Sequence, residues 1–431
     1  MNPPGKNNWI LLYKIEGARQ IFVKSGTLKT ATITKNNAKT TVQQFEFVLP
    51  SDAKVGSYRV SYATEGAGFV DFLFNKEDVA FSFDPTNADA SITFSKSEEN
   101  IIFQDYIRDI SVLQQKIDSL QVSYLKNPSL NTVNLYSSEL KKITLLHKIY
   151  SKKSAGKLVE HFINATNKYN KPKIATTSQE YMNAIIGHYF DRIDLNSIPL
   201  YNSAFLINRI TDYVFYMNYS EDQKTQEKLY QKSIETVLKQ VKNMVFKKDI
   251  LEYVITQFIN FKNVALVDYL FETYYDKLPK NLQNLAFKKR ALSKVSVEVG
   301  RIAPEITWNE NGRNYKLSTL QEAQNYLLVF WSSGCSHCLR EIPLLHTFTQ
   351  NKKNLKVIAF GMENDDIDWK KQISKFIGWH HALGLKKWEN STARAYQIYS
   401  TPTYIVLDKN KKIIAKPETL EGLKKIITYL E

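Results

Sequence analysis

Up to residue 98 the chain alternates apolar and polar positions. Phe45 pairs with Phe47, Tyr58 with Val60 and Tyr62, and Val79 with Phe81 and Phe83. A period of two puts every second side chain on one face, as in strands with one buried side. Turn-forming groups separate the runs at Pro50-Ser51-Asp52, Gly66-Ala67-Gly68, Asn75-Lys76-Glu77-Asp78 and Asp84-Pro85. Short antiparallel strands at this spacing predict a β-sandwich-like N-terminal domain over residues 1–98.

From residue 99 the period lengthens. Phe103, Tyr106, Ile110, Leu113, Ile117, Leu120 and Tyr124 recur every three to four positions, the stripe of a long amphipathic helix. A second such helix carries Tyr230, Ile234, Val237, Leu238, Val241 and Met244. Breaks fall near Asn127-Pro128, Asn170-Lys171-Pro172, Ser197-Ile198-Pro199 and Leu278-Pro279. These features predict an all-α middle domain over 99–297, whose stripes are read as core rather than as a cofactor box or partner groove.

Near 298 the pattern changes again. A hairpin is expected from Glu305-Ile306-Thr307-Trp308 through Asn309-Glu310-Asn311-Gly312 to Tyr315-Lys316-Leu317. Helix and strand then alternate, which predicts an α/β sheet over 298–431 closed by an amphipathic helix from Leu420 to Leu430.

At 431 residues the chain exceeds one ordinary core, in keeping with three domains. Hydrophobic residues make up 43%, which argues against disorder. No apolar run approaches the roughly 20 residues needed to span a bilayer. The start, Met1-Asn2-Pro3-Pro4-Gly5-Lys6, has no cationic region followed by a long apolar core. Taken as complete, the sequence is cytoplasmic; the same start would also follow from removal of an export signal. The net charge of +15 comes from dispersed lysines with acids and tyrosines between them. Without any nucleic-acid recognition signature, this reads as solvated surface rather than a nucleic-acid site.

The two cysteines carry the chemistry. They lie three apart, a spacing that random placement in this chain would give roughly once in two hundred cases. A strand through Trp331 runs into Ser332-Ser333-Gly334, and Cys335-Ser336-His337-Cys338 opens a helix. Free N–H groups and the positive dipole end at a helix start stabilise a thiolate. Cys335 is thus the expected nucleophile. Cys338, one turn on, is the buried resolving thiol. His337 is expected to lower the Cys335 pKa further.

The stretch Phe330 to Cys338, with Pro343 and Thr401-Pro402-Thr403, resembles the TlpA/ResA-like branch of the thioredoxin superfamily; the resemblance covers about residues 298–431. It implies that Pro402 is cis and packs against the disulfide, that the Thr401 backbone pairs with a bound client strand, and that Trp331 flanks this groove. It also implies proton handling by Glu341, one turn beyond Cys338. Val329 stands where thioredoxins carry a buried acid, leaving Glu341 or water as acceptor. Lys411 replaces a glycine in the turn after Asp408, read as a surface change. Gly56-Ser57-Tyr58-Arg59-Val60 and Tyr189-Phe190-Asp191-Arg192-Ile193-Asp194-Leu195 resemble domains fused ahead of such modules in Bacteroides- and Flavobacterium-type bacteria, which implies a periplasmic or envelope-anchored protein.

Other chemistry fits less well. His346, His380 and His381 lack ligand-like spacing to the cysteines, so no metal is expected, and His380-His381 reads as a surface pair. Copper-delivery relatives have three residues between their cysteines. Peroxidases of this superfamily have proline where Leu328 stands. His147, His161 and His188 are read as structural or surface histidines.

The expected reaction is dithiol–disulfide exchange with client proteins. It needs no bound cofactor beyond the redox-active disulfide, and draws on a membrane or periplasmic thiol donor or acceptor. The resemblance favours reduction, for example of cysteines destined for haem attachment in cytochrome c maturation, whereas a His337-stabilised thiolate favours oxidation. An oxidant or isomerase, or a non-catalytic scaffold with a relic thioredoxin module, are the alternatives. Oligomeric state, client and electron donor are not legible.

Overall fold

The computed structural model of the protein describes residues 1–5, 7–35, 38–63 and 68–430. The expected turn at Gly66-Ala67 lies outside the described residues. The chain divides into two compact units, 1–250 and 251–431.

In the first unit, β1 (Trp9–Glu16), β2 (Arg19–Thr27), β5 (Gly56–Ser61) and β6 (Phe69–Phe74) form an antiparallel sheet in the order β2-β1-β5-β6. Two strand pairs accompany it: β3 (Lys29–Lys35) with β4 (Ala38–Gln44), and β7 (Ala80–Ser82) with β8 (Thr93–Lys96). Alternation buries Ile10, Leu12, Tyr58, Val60, Val70 and Phe72 in one core. On the opposite face, directly paired Arg59 and Asp71 make two 2.7 Å hydrogen bonds across β5 and β6. The predicted alternation at Phe45 and Phe47 is not a strand. β4 ends at Gln44, and both rings pack against the core from the following segment.

Helices follow. Ser97 caps the 29-residue helix Glu98–Lys126, and Ser129 caps its neighbour Leu130–Ser154 just past Pro128. Tyr106, Ile110 and Ile117 of the predicted stripe are buried. The expected helix through Met244 is instead two. Gln223–Gln240 stops, and Met244–Asn260 begins, because Asn196 Oδ1 takes the N–H groups of Lys242 (2.6 Å) and Asn243 (3.2 Å). Asn243 in turn accepts from Val245 N–H at 2.9 Å. A side chain nearly fifty residues upstream makes this break. Among the described residues no helix is long and apolar enough to cross a membrane.

The second unit begins inside Met244–Asn260 and includes the helices up to Lys294. The hairpin β9 (Thr307–Glu310) and β10 (Arg313–Lys316) turns at Asn311-Gly312, both at positive φ, in a tight two-residue loop. The main sheet has the order β13-β12-β11-β14-β15, from β11 (Asn325–Trp331), β12 (Leu355–Glu363), β13 (His380–Leu385), β14 (Thr403–Asp408) and β15 (Ile413–Ala415). β11 is parallel to β12 and antiparallel to β14, and its near-continuous apolar run suits a strand buried on both faces.

One face of β11, with Leu328 and Phe330, packs in a core that includes Trp308 and Leu317. The other face, with Leu327, Val329 and Trp331, meets Cys338, Ile342 and Leu345 of the helix Ser336–Thr349. Burial of each such large side chain contributes about 1.5–3 kcal/mol. The active-site helix is thereby fixed over the centre of the sheet.

Two surface expectations are corrected. His380 and His381 are both buried, at 7% and 9% exposure. β13 is an edge strand, but Glu310 of the hairpin accepts from or pairs with His380 Nδ1 at 2.7 Å, and Glu322 lies 3.1 Å from Nε2. His381 Nε2 meets the Phe376 carbonyl at 3.0 Å. Lys411 is also buried. Its ammonium donates to the carbonyls of Leu320 (2.8 Å) and Lys409 (2.9 Å) and sits 3.9 Å from the centre of the Tyr326 ring.

Candidate active site

The loop Ser332–Gly334 delivers the chain from the end of β11 to the helix Ser336–Thr349, with Cys335 as its N-cap. The Cys335 sulfur accepts the Cys338 N–H at 3.3 Å, the position where a helix start offers unpaired donors. Cys335 is half-buried and Cys338 fully buried, both as free thiols. Burial works to raise the Cys335 pKa. Hydrogen bonds from the Cys338 thiol, the Thr401 side chain and the backbone N–H groups of Cys338 and His337 outweigh it and leave Cys335 below the ordinary thiol range. Burial, reinforced by the bond to Cys335, pushes Cys338 up to about 12. The two sulfurs are thus chemically unequal: one is poised to ionise, the other holds its proton.

His337 is exposed. Its backbone N–H is among the donors that lower the Cys335 pKa. Thr401 and Pro402 are half-buried and joined by a cis peptide, and the Thr401 carbonyl lies 3.5 Å from Cys335 Sγ as acceptor. Trp331 is completely buried, so it underlies the site as packing and presents no surface to a client.

Glu341 is half-buried, and its Oε2 accepts a 2.8 Å hydrogen bond from the Tyr404 hydroxyl. Tyr404 is 1% exposed and shares the core that contains Cys338. Burial first, then the charges of Glu341, Cys338 and Cys335, raises its pKa, so the phenol stays a donor. Tyr404 was not singled out in the sequence. Its hydroxyl, aimed at an acid 63 positions earlier, leaves no local pattern.

Glu363 was also missed. It ends β12 at 5% exposure and receives hydrogen bonds from Ser333 N–H and the Ser332 hydroxyl. The histidines considered for metal binding are engaged elsewhere: His346 Nε2 lies 3.0 Å from the Ile377 carbonyl, and His380 and His381 are held as described above. Among the described residues no group of three or more His, Cys, Asp or Glu is arranged to hold a metal ion.

Residues 324–413 match the thioredoxin-like family. The thiol-disulfide oxidoreductase ResA of Geobacillus thermodenitrificans is 26% identical over 137 residues, covering 30% of this chain and 77% of its own length. ResA of Bacillus anthracis is 24% identical over 144 residues, covering 31% and 82%. Among solved structures, the thioredoxin domain of a thiol-disulfide oxidoreductase from Bacteroides vulgatus is 27% identical, covers 31% of this chain and 99% of its own, and has a TM-score of 0.29. A domain of a "possible thiol-disulfide isomerase" from Cytophaga hutchinsonii is 35% identical over 31% of this chain and 92% of its own, with a TM-score of 0.28.

The C-terminal region is a thioredoxin-like domain bearing a Cys-x-x-Cys pair, and the protein is an enzyme of the thiol-disulfide oxidoreductase class. Within that class its likeness is to the ResA proteins, joined here to an antiparallel β region and a helical middle.

Proposed function

We propose that Cys335 and Cys338 exchange with disulfides of client proteins outside the cytoplasm, chiefly as a reductant. The inequality of the two thiols is the observation that carries this reading. The Cys335 thiolate attacks one sulfur of a client disulfide, breaking the client S–S bond and forming a mixed disulfide. The client's other sulfur leaves as a thiolate and takes a proton. Cys338, on giving up its proton, attacks Cys335 Sγ, which releases the second client thiolate and leaves a Cys335–Cys338 disulfide. The client gains two electrons and the domain loses two; a thiol electron donor, at the membrane or in the periplasm, restores the dithiol.

Pro402 and Thr401 form the client groove, and Glu341, held by Tyr404, receives the proton from Cys338. The reductant direction is proposed on the ResA-like resemblance. A periplasmic or envelope-anchored setting, and clients such as cysteines awaiting haem attachment, are proposed on the ResA-like resemblance.

Equilibration of the full chain in graded thiol buffers tests the direction. A potential near about −270 mV supports a reductant, and one near about −120 mV an oxidant. Cys338→Ala should accumulate mixed disulfides with clients, and Cys335→Ala should abolish exchange. If no reversible couple forms and no client is trapped, the exchange reading gives way to a scaffold role.

A further inference from the structure

The loop that presents Cys335 is not held by its own sequence alone. Beneath it lies the Glu363 carboxylate, nine-tenths buried at the end of the neighbouring strand β12. Oε1 accepts the Ser333 N–H at 2.5 Å, and Oε2 accepts the Ser332 hydroxyl at 3.2 Å. The Ser332 oxygen then accepts the Gly334 N–H at 3.3 Å, and the Ser332 carbonyl accepts the Cys335 N–H at 3.1 Å. Every residue between β11 and the nucleophile is thus tied, directly or through one hydroxyl, to this carboxylate. A buried charge is kept where its full set of donors is supplied, and charge-assisted bonds of this kind are the stronger ones.

β12 is built to bring Glu363 there. Trp331, the last residue of β11, pairs with Gly361, so Glu363 extends two residues past the paired strand, level with the loop. The loop's geometry matters because the lowered Cys335 pKa depends on the N–H groups of His337 and Cys338 pointing at the sulfur. Those groups point there only if Cys335 is held as the N-cap.

We infer that Glu363 is a positioning residue for the exchange reaction: its carboxylate clamps Ser332–Gly334 and thereby keeps Cys335 on the donors of the helix start. Glu363 touches neither client nor sulfur and acts through the loop. The inference deepens the exchange reading and rests on Cys335 being the nucleophile.

Two substitutions separate the clamp from simple charge. Glu363→Gln removes the charge but retains an acceptor for Ser333 and a partner for Ser332. Glu363→Ala removes both. In the reduced full-length protein, thiolate absorbance at 240 nm and the rate of iodoacetamide alkylation of Cys335 are measured from pH 5 to 10. The clamp requires the Cys335 pKa in Glu363→Ala to lie about one unit above that in Glu363→Gln, read as a displacement of the whole thiolate and alkylation profile.

Superimposable profiles in the two folded variants would overturn the inference, whatever their thermal midpoints. Should Glu363→Ala fail to fold, Ser332→Ala decides, because it breaks the hydroxyl arm that joins Glu363 to the Gly334 N–H at the loop end. The clamp requires its Cys335 pKa to rise above wild type, and an unchanged value refutes it. Because the readout is the ionisation of Cys335, it holds even for a protein that reduces no client. Loss of the exchange reading and loss of the clamp are thereby distinguishable.

Discussion

The Tyr404 hydroxyl donates a 2.8 Å hydrogen bond to Glu341, linking a buried residue of β14 to the acid one turn beyond Cys338. Its phenol carries this bond on the same side of the sheet as Cys338. Cys338 must lose a proton to resolve a mixed disulfide, and burial holds that proton firmly. In the exchange proposed above, this bond holds the carboxylate that takes the Cys338 proton.

Tyr404→Phe keeps the ring and removes the donor. Reduction of a protein disulfide should slow about three- to tenfold, with the loss in the resolving step rather than in formation of the mixed disulfide. Glu341→Gln should slow the same step. Stopped-flow kinetics on both variants checks this, and a Tyr404→Phe protein with wild-type resolution at every pH would remove Tyr404 from the reaction. Stability should fall by about 1.5–3 kcal/mol, the scale of one hydrogen bond to a charged group.

The inequality of the thiols makes a second prediction. At pH 8, Cys335 in a Cys338→Ser protein should alkylate at least about a hundredfold faster than Cys338 in a Cys335→Ser protein, since only thiolate reacts. Raising the pH to 10 should speed Cys338 by a larger factor than Cys335. Equal rates at pH 8 would contradict the assignment of nucleophile and resolving thiol.

What the sequence made legible follows from range. The strand, the three-residue spacing and the helix start are local, so Cys335 and Cys338 could be assigned to their element from a dozen consecutive residues. The long stripe around Tyr106 and Ile110 was legible for the same reason. Glu363 and Tyr404 were not, because each acts on the active-site segment across the sheet, from 30 and 63 positions away. His380 was misread for a like reason. Adjacent histidines look polar in isolation, and only the packing of Glu310, 70 positions earlier, makes a buried site for one of them. Nothing near 242 in the sequence announces that Asn196 will end a helix there.

Gly361 has a packing reason that can be tested without reference to chemistry. A Cβ placed on it would come 2.3 Å from Trp369 Nε1, far inside contact distance. Trp369 is itself buried in the core under the active-site helix. Gly361→Ala should therefore destabilise the C-terminal region by about 1–3 kcal/mol, the usual scale of overpacking. Chemical denaturation followed by tryptophan fluorescence reads this, and a wild-type midpoint would show that Trp369 moves aside freely.

His147 supplies a pH dependence in the helical region, remote in sequence from the cysteines. It is 8% exposed, and its Nδ1 lies 2.9 Å from the Tyr106 hydroxyl, which also reaches the Ile163 carbonyl at 3.2 Å. Burial, with a smaller contribution from Arg192, lowers its pKa from 6.5 to about 4, so it is neutral in the folded protein at pH 7. In the unfolded chain it regains the ordinary value. Between these two pKa values the unfolded state binds a proton that the folded state refuses, so stability falls as the pH drops. The contribution is fully present above about pH 6.5 and lost by about pH 4, a difference of about 3 kcal/mol. His147→Gln retains a hydrogen-bonding side chain but cannot titrate. Urea unfolding at pH 7 and pH 4 should show wild type losing about 3 kcal/mol more than this variant over that interval. Parallel losses in the two proteins would mean that His147 takes up its proton in the folded state, at the expense of its bond to Tyr106.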